Sequence, residues 1–403
     1  MKTIDQINFA GKRALIRVDF NVPLDKNNNI TDDTRMRAAL PTIHKVLDDG
    51  GSVVLMSHLG RPLKKLNDDG SLNKERFTLR HLVPHLSKLL ATEVKFADDC
   101  VGAESIAQST SLKEGQILLL ENTRFHKEEE KGEQEFAKLL SQHGDIFVND
   151  AFGTAHRAHA STTIVAHYYD EYHKCPGYLM ASEVENAQKI LLHPNHPLTA
   201  ILGGAKVSDK ILILENLISI ADNIIIGGGM AYTFFRAMGG TIGSSLCEED
   251  KLDVAEHILL KAKEKGVKIY LPIDSIIADA FDNNADRKKT ESNNIPDGWM
   301  GLDIGSSAIA DFREVILASR TILWNGPMGV FELENFSKGT EAIAYAVAEA
   351  TASGTFSLVG GGDSVAAVNK FNLSDKVSFV STGGGAMLEF FEGKTLPGVA
   401  ALQ

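Results

Sequence analysis

The amino-acid sequence predicts an α/β protein of two domains, each an open parallel sheet flanked by helices, and three observations carry that reading. Short apolar runs alternate with longer amphipathic segments almost from end to end. At 403 residues the chain exceeds what one hydrophobic core supports, so two domains of roughly 150 to 200 residues are expected. Several apolar runs stop directly on glycine, in AILGGAK, IIIGGGMA, SLVGGGDS and STGGGA. There a buried strand hands over to a helix through a turn that admits close backbone approach and points amides and helix dipole at an anion.

In the first half the strands are expected at 13–18, 52–57, 116–120 and 146–149, with helices at 33–47 and 78–90. Thr78 is a candidate N-cap for the second helix, and Pro84 should kink or break it. Near residue 180 the texture changes. Met180, Val184, Ala187 and Leu191 fall on one helical face, and HPNHP at 193–197 stops the helix. Residues 178–197 therefore read as a connecting helix and linker between a first domain, 1–177, and a second, 198–391. The alternative, a helix internal to one domain, stays open. The second half repeats the alternation, with strands expected at 198–202, 223–226, 267–271, 321–324, 355–359 and 377–380. Ligands of such sheets bind beyond the carboxyl ends of the strands.

An apolar fraction of 43% and a charged fraction of 23% are those of an ordinary globular protein, which excludes disorder. A net charge of -12 argues against nucleic acid as a partner. Cys100, Cys175 and Cys247 are far apart, odd in number and form no CxxC pair, as in a reducing compartment. With no secretory-type leader and no apolar run of about 18 residues, the sequence reads as cytoplasmic, without a membrane partner. Every histidine except His257 precedes residue 200. The cations thus lean to the first half and the glycine turns to the second.

Familiar nucleotide motifs fail. The only GKT, at 393–395, has Leu388 where a Walker A needs glycine. The GxGxxG fingerprint is broken by Tyr232, Val365 and Leu388 in its three candidate positions, which disfavours a dehydrogenase. Lys206 and Lys210 sit four apart after Gly203 and Gly204, on one face if the helix starts there. Cations in a first turn oppose the macrodipole unless an anion lies between them, a solvated surface pair being the other reading. Arg35 and Arg37 follow TDDT in the same way. Asp363, after three glycines, is either a helix cap or a Mg²⁺ ligand, and Ser364 could add an oxygen. In the first half RVDFNVP, SHLGRP, ENTRFHKEE and NDAFGTAHRAHAS lie at strand ends. They bring Arg35, His58, Arg61, Arg124 and Arg157 toward one mouth, with Asp19 and Asn21 to orient a hydroxyl, a patch suited to a small multiply charged anion. Metal binding by HRAH is the rival, and it lacks carboxylate or Cys partners.

RVDFNVP, SHLGRP, LENTRF, DAFGTAHRAH, GGAKVSDK, IIIGGGMAYTF, LWNGPMGVFE, GGGDS and STGGGA, in that order from Arg17 to Ala386, closely resemble the phosphoglycerate kinase family. The resemblance implies a monomer of two Rossmann-like domains facing each other across a cleft. The first would bind 3-phosphoglycerate or 1,3-bisphosphoglycerate, and the second ADP or ATP with Mg²⁺. Asp19, Asn21, Arg35, His58, Leu59, Gly60, Arg61, Arg124 and Arg157 would hold the phosphoglycerate, Arg35 reaching the transferring phosphoryl group. Lys206 and Lys210 would contact phosphates, and Asp363 would hold Mg²⁺. Gly204, Gly228, Gly229, Asn325, Glu332, Gly361, Gly362 and Ser364 would line the nucleotide site, while Gly384 and Gly385 would offer amides to the transferring group. The resemblance also implies that the tail, 392–403, returns to the first domain. The chain departs from the family in the loop at 62–78 and at Ser364, where many relatives have Thr. Transfer between two phosphorylated substrates would be in line, completed by domain closure, with an already ionised carboxylate acceptor that needs no general base.

Overall fold

The computed structural model describes residues 2–403. It divides into an N-terminal unit, residues up to Val184 together with Thr395–Gln403, and a C-terminal unit, Glu185–Lys394. The division falls inside the helix Tyr178–Leu191, where Met180, Val184 and Ala187 are buried.

The N-terminal sheet contains β1 (Arg13–Val18), β2 (Ser52–Met56), β3 (Val94–Ala97), β4 (Ile117–Leu120), β5 (Ile146–Asp150) and β6 (Lys174–Pro176). All pair in parallel, in the order β3-β4-β2-β1-β5-β6. Alternate residues serve opposite faces: Ala14, Ile16 and Val18 join one core, and Leu15 joins the other. A strand covered on both faces is apolar throughout, which makes β1 readable from its sequence. The strands that sequence reading missed, β3 and β6, are the two sheet edges, four and three residues long and each carrying a lysine. The helix expected at 33–47 is Thr34–Asp48. Pro84 produces a break: Leu79–Leu82 is a 3-10 turn with Thr78 Oγ1 accepting from Arg80 N at 3.1 Å, and the α-helix is Val83–Leu90. The chain's last turn, Pro397–Ala400, docks on this unit. Gly398 N donates to Ala155 O (2.8 Å), Lys174 Nζ donates to Ala401 O (2.8 Å), and Leu402 is buried in its core.

In the C-terminal unit the strands are β7 (Leu198–Leu202), β8 (Asn223–Ile226), β9 (Thr241–Ile242), β10 (Lys268–Tyr270), β11 (Asp274–Ala278), β12 (Arg287–Glu291), β13 (Asn294–Ile295), β14 (Met300–Ile304), β15 (Thr321–Asn325), β16 (Phe356–Val359) and β17 (Phe379–Val380). The main sheet is again parallel, in the order β10-β8-β7-β15-β16-β17. Ile201, Ile225, Ile322, Trp324 and Val359 anchor its core. An antiparallel sheet, β12-β11-β14, and the pair β13-β9 add to it. These additions are absent from the sequence-based expectation for a physical reason. β12 reads RKKTE and is nearly all exposed, so no apolar period marks it.

Candidate functional site

At the carboxyl ends of β1, β2, β4 and β5 the predicted residues Asp19, Asn21, Arg35, His58, Leu59, Gly60, Arg124 and Arg157 come together. Arg35 Nη1 donates to Asp19 Oδ2 and to Asn21 O, each at 3.1 Å. Asn21 Oδ1 accepts from Gly60 N (2.8 Å), and Arg124 Nη1 donates to Gly60 O (2.9 Å). Gly60 has φ +62°, and a Cβ there would lie 2.6 Å from the Phe77 ring, so only glycine fits. Leu59 is buried, with its carbonyl held by Asn122 Nδ2 at 2.8 Å. The variant segment at 62–78 walls this region: Asn73, Glu75, Arg76 and Phe77 line a cavity of about 560 Å³ with Asn21, Leu59 and Gly60. Arg61 is exposed, and Arg157, also exposed, places Nε 3.1 Å from His156 Nε2.

His58 reveals how the site is supported. Its Nδ1 lies 3.1 Å from Arg17 Nη2. A guanidinium only donates, so Nδ1 accepts and the imidazole proton resides on Nε2. Burial, then Arg17, Arg124, Arg35 and His159, hold the His58 pKa well below the usual imidazole value, so the ring is neutral. His159 is pushed down to about 3 by burial and by Arg124, Arg17 and Arg157. Arg124 falls to about 10, through burial and Arg17, and stays charged. These mutual effects place Arg17, Arg35, Arg124, Arg157, His58 and His159 in one positive field. Arg17 itself is fully buried on β1; it donates to Val18 O and from Nε to Ser161 Oγ (2.7 Å), and Ser161 donates to buried Glu129. Sequence reading passed over Arg17, Glu129, Ser161 and Asn122. An arginine inside the apolar run ALIRV was the available signal, since a buried charge requires a partner.

One expectation fails here. Arg37 does not join Arg35 but pairs with Asp33 (2.9 Å), a carboxylate that also meets His85 Nε2 at 2.8 Å. Successive odd positions on a helix point different ways, so two arginines two apart cannot share a target.

The C-terminal site is made largely of main chain. Gly203 N donates to Asn325 O (2.9 Å), Gly204 N to Pro327 O (3.2 Å), Gly227 N to Leu202 O (2.9 Å) and Gly228 N to Met328 O (3.1 Å). These four amides are therefore committed and not offered to an anion, whereas Gly229 N, at the N-cap of Met230–Ala237, meets no acceptor among the described residues. The four glycines permit loops to pack backbone on backbone: a Cβ on Gly228, at φ +67°, would fall 2.6 Å from Gly204 O. The amides of Gly361, Gly362, Gly384 and Gly385 meet no acceptor among the described residues. Gly361 and Gly384 are the N-caps of Gly362–Lys370 and Gly385–Phe391.

Lys206 and Lys210 share no helical face, because the helix is Ile211–Leu217 and Lys210 is its N-cap. Lys206 is exposed. Lys210 Nζ donates to Asn325 Oδ1, whose Nδ2 donates to Gly360 O at 2.9 Å. Burial lowers the Lys210 pKa, opposed by Asp209, Asp363 and Glu392, so Asp363 lies within its field. Ser364 is buried and its Oγ accepts from Gly326 N (2.5 Å), which commits that oxygen to the turn. Asp363 is exposed, and its carboxylate takes part in no capping bond or ion pair among the described residues. A pocket of about 440 Å³ opens beside it, bounded by Gly204, Gly228, Gly229, Glu332 and Asp363. That volume suits a small-molecule ligand. Its apolar wall is Leu246, Phe281, Met300, Leu302, Met328 and Val330, several of them on or beside the unpredicted antiparallel sheet.

A parallel sheet ending in a cationic loop cluster, and a second ending in a glycine-lined pocket with an open carboxylate, define the class: a two-domain α/β kinase. The sequence model described as phosphoglycerate kinase matches residues 4–394. A phosphoglycerate kinase of Porphyromonas gingivalis is 54% identical over 424 residues, covering 100% of both chains, and one of Chloroherpeton thalassium is 52% identical, covering 100% of this chain and 98% of the other. Among solved structures, phosphoglycerate kinase from Coxiella burnetii has a TM-score of 0.88 at 42% identity, covering 100% of this chain and 98% of its own. That from Pyrococcus horikoshii OT3 has a TM-score of 0.82 at 32% identity, with the same coverage. The chain belongs to the phosphoglycerate kinase family. Its reaction is the one that defines that family, reversible transfer of the acyl phosphate of 1,3-bisphosphoglycerate to ADP, giving 3-phosphoglycerate and ATP.

Proposed function

We propose that the two sites divide this reaction, the N-terminal cluster holding the phosphoglycerate and the C-terminal pocket the nucleotide. The observation that carries the reading is the field around His58: Arg17, Arg35, Arg124, Arg157 and His159 gather there, and Asp19, Glu129 and Glu130 offset only part of that charge. Such an assembly is stable only if other parts of the fold compensate or an anion is received. Neutral His58 donates from Nε2, Asp19 and Asn21 orient Arg35 and a substrate hydroxyl, and Arg61, Arg124 and Arg157 neutralise phosphate and carboxylate. The main chain at Leu59 and Gly60 shapes the floor.

Adenine fits the apolar wall opposite Gly228 and Gly229, with Glu332 toward the ribose. The phosphates run past Gly204, Asn325, Gly361, Gly362 and Ser364 to Lys206 and Lys210. Asp363 fits a Mg²⁺ ligand, because its carboxylate is exposed beside the pocket and unpartnered among the described residues. When bound, Mg²⁺ neutralises phosphate oxygens. Arg35, Lys206, Lys210 and the amides of Gly384 and Gly385 then surround the phosphoryl group in flight. The acceptor carboxylate is already ionised, so no residue has to remove a proton. Residues of both units are required at once, so transfer follows their closure on the two substrates and excludes water from the acyl phosphate.

We place the protein in the cytoplasm as a monomer, in keeping with three unpaired cysteines and with no described helix long and apolar enough to cross a membrane. The deciding experiment is a coupled assay of ATP- and Mg²⁺-dependent phosphorylation of 3-phosphoglycerate. Turnover with both substrates is expected. ATP hydrolysis that ignores 3-phosphoglycerate would overturn the division of sites.

A further inference from the structure

We propose that Asp99, Cys100 and His126 form a binding site for a thiophilic divalent cation of the zinc type, separate from the residues assigned to phosphoryl transfer. Asp99 and Cys100 follow edge strand β3, and His126 follows the turn Thr123–Phe125. One carboxylate oxygen, one sulfur and one imidazole nitrogen lie within 4.8 Å of one another, with His126 Nε2 2.7 Å from Asp99 Oδ1. Around a tetrahedral ion with bonds of about 2.0 to 2.3 Å, ligand atoms are separated by about 3.3 to 3.8 Å. Binding therefore opens the 2.7 Å Asp99–His126 contact to that spacing.

The donor set selects the ion. Sulfur and imidazole favour zinc over Mg²⁺ or Ca²⁺, and three protein ligands leave a fourth position for water. The loop is already held. Asp99 Oδ1 accepts from Cys100 N (2.7 Å), and Cys100 O meets His143 Nε2 (2.9 Å), whose Nδ1 meets Ser109 Oγ (2.8 Å). The sulfur is closed off from solvent, whereas the side chains of Asp99 and His126 are 44% and 30% exposed, which gives the ion its approach. On binding, a sulfur–metal bond replaces the S–H bond and the proton leaves to solvent.

The test uses the full chain, freed of metal by a chelator and titrated with CoCl2, the thiolate–cobalt charge-transfer band being the readout. One equivalent should develop the band, ZnCl2 should abolish it by displacement, and excess MgCl2 should not. Cys100→Ser should lose the band, and Cys247→Ser should keep it. His126→Ala and Asp99→Asn, on partly exposed side chains, should weaken cobalt binding by about tenfold or more with unchanged circular dichroism. No band in the parent protein, or a band that survives Cys100→Ser, overturns the site. So does unchanged affinity in folded His126→Ala and Asp99→Asn.

Discussion

The two sheets end in sites made by opposite means. In the N-terminal unit long charged side chains are held by other side chains, as Arg17 bridges His58 and Ser161 over buried Glu129. In the C-terminal unit the work falls to main chain, where Gly203, Gly204, Gly227 and Gly228 let three loops bond to each other and Gly361 and Gly384 turn amides outward. The first kind of site is damaged by removing atoms, the second by adding one. Each change below breaks or sharpens that contrast.

Removing a transferring-group contact has the largest expected effect. Arg35→Ala should lower kcat by about 10³-fold or more, the scale of a charge acting on a phosphoryl group in flight, while the ATP KM changes little. Steady-state kinetics decide it, and near-normal turnover would remove Arg35 from that role. Asp363→Ala should abolish most turnover and shift the Mg²⁺ titration of activity to higher concentration, and an unmoved titration would count against a metal ligand.

Next is the supporting charge. Arg17→Met strands buried Glu129 and should cost about 3 to 5 kcal/mol of stability in denaturant melts. Nitrogen NMR should also show His58 losing its single Nε2–H tautomer. A retained tautomer would mean Arg17 does not set it. In the C-terminal unit, Gly228→Ala adds one methyl at φ +67°, 2.6 Å from Gly204 O. It should cost about 1 to 3 kcal/mol and raise the ATP KM without affecting phosphoglycerate binding. An equal rise in both KM values would dissolve the contrast.

A difference in acid response tests the same contrast without a substitution. His143 and His159 are held down at about 4 and about 3, and His58 well below its ordinary value, all chiefly by burial. Below pH about 6.5 the unfolded chain binds protons that the folded N-terminal unit refuses, so this unit loses stability as pH falls. Buried Asp150, raised to about 6, offsets part of that. The C-terminal unit has buried Asp303, raised to about 7 by burial against the amides of Gly339 and Ile304. Its folded form holds a proton that the unfolded chain releases above pH about 4, so this unit gains stability as pH falls from about 7. Each such proton changes stability by up to about 1.4 kcal/mol per pH unit. Hydrogen exchange resolved by segment at pH about 6.5 and about 4.5 should show protection moving in opposite directions. Parallel changes would refute the assignment.

What could be read from the sequence was local. Apolar runs marked β1, β2, β7 and β15 because a strand buried on both faces shows it within five or six residues. Glycines beyond strands marked the turns, and arginines at strand ends marked the cationic mouth, because topology places those ends together. The motifs shared with the family carried its reaction. What tertiary structure alone decided lies between distant residues. Ser161 meets Arg17 across 144 positions and Asn325 meets Lys210 across 115. Whether a glycine amide is free or bonded depends on the loop beside it, and Gly204 and Gly361 look alike in sequence while only Gly361 remains open. The antiparallel β12 left no period because it is solvated, and β14, which lines the 440 Å³ pocket, is paired in its sheet only through β11. Backbone preference and burial period are properties of neighbours along the chain, whereas partners and available donors are properties of neighbours in space.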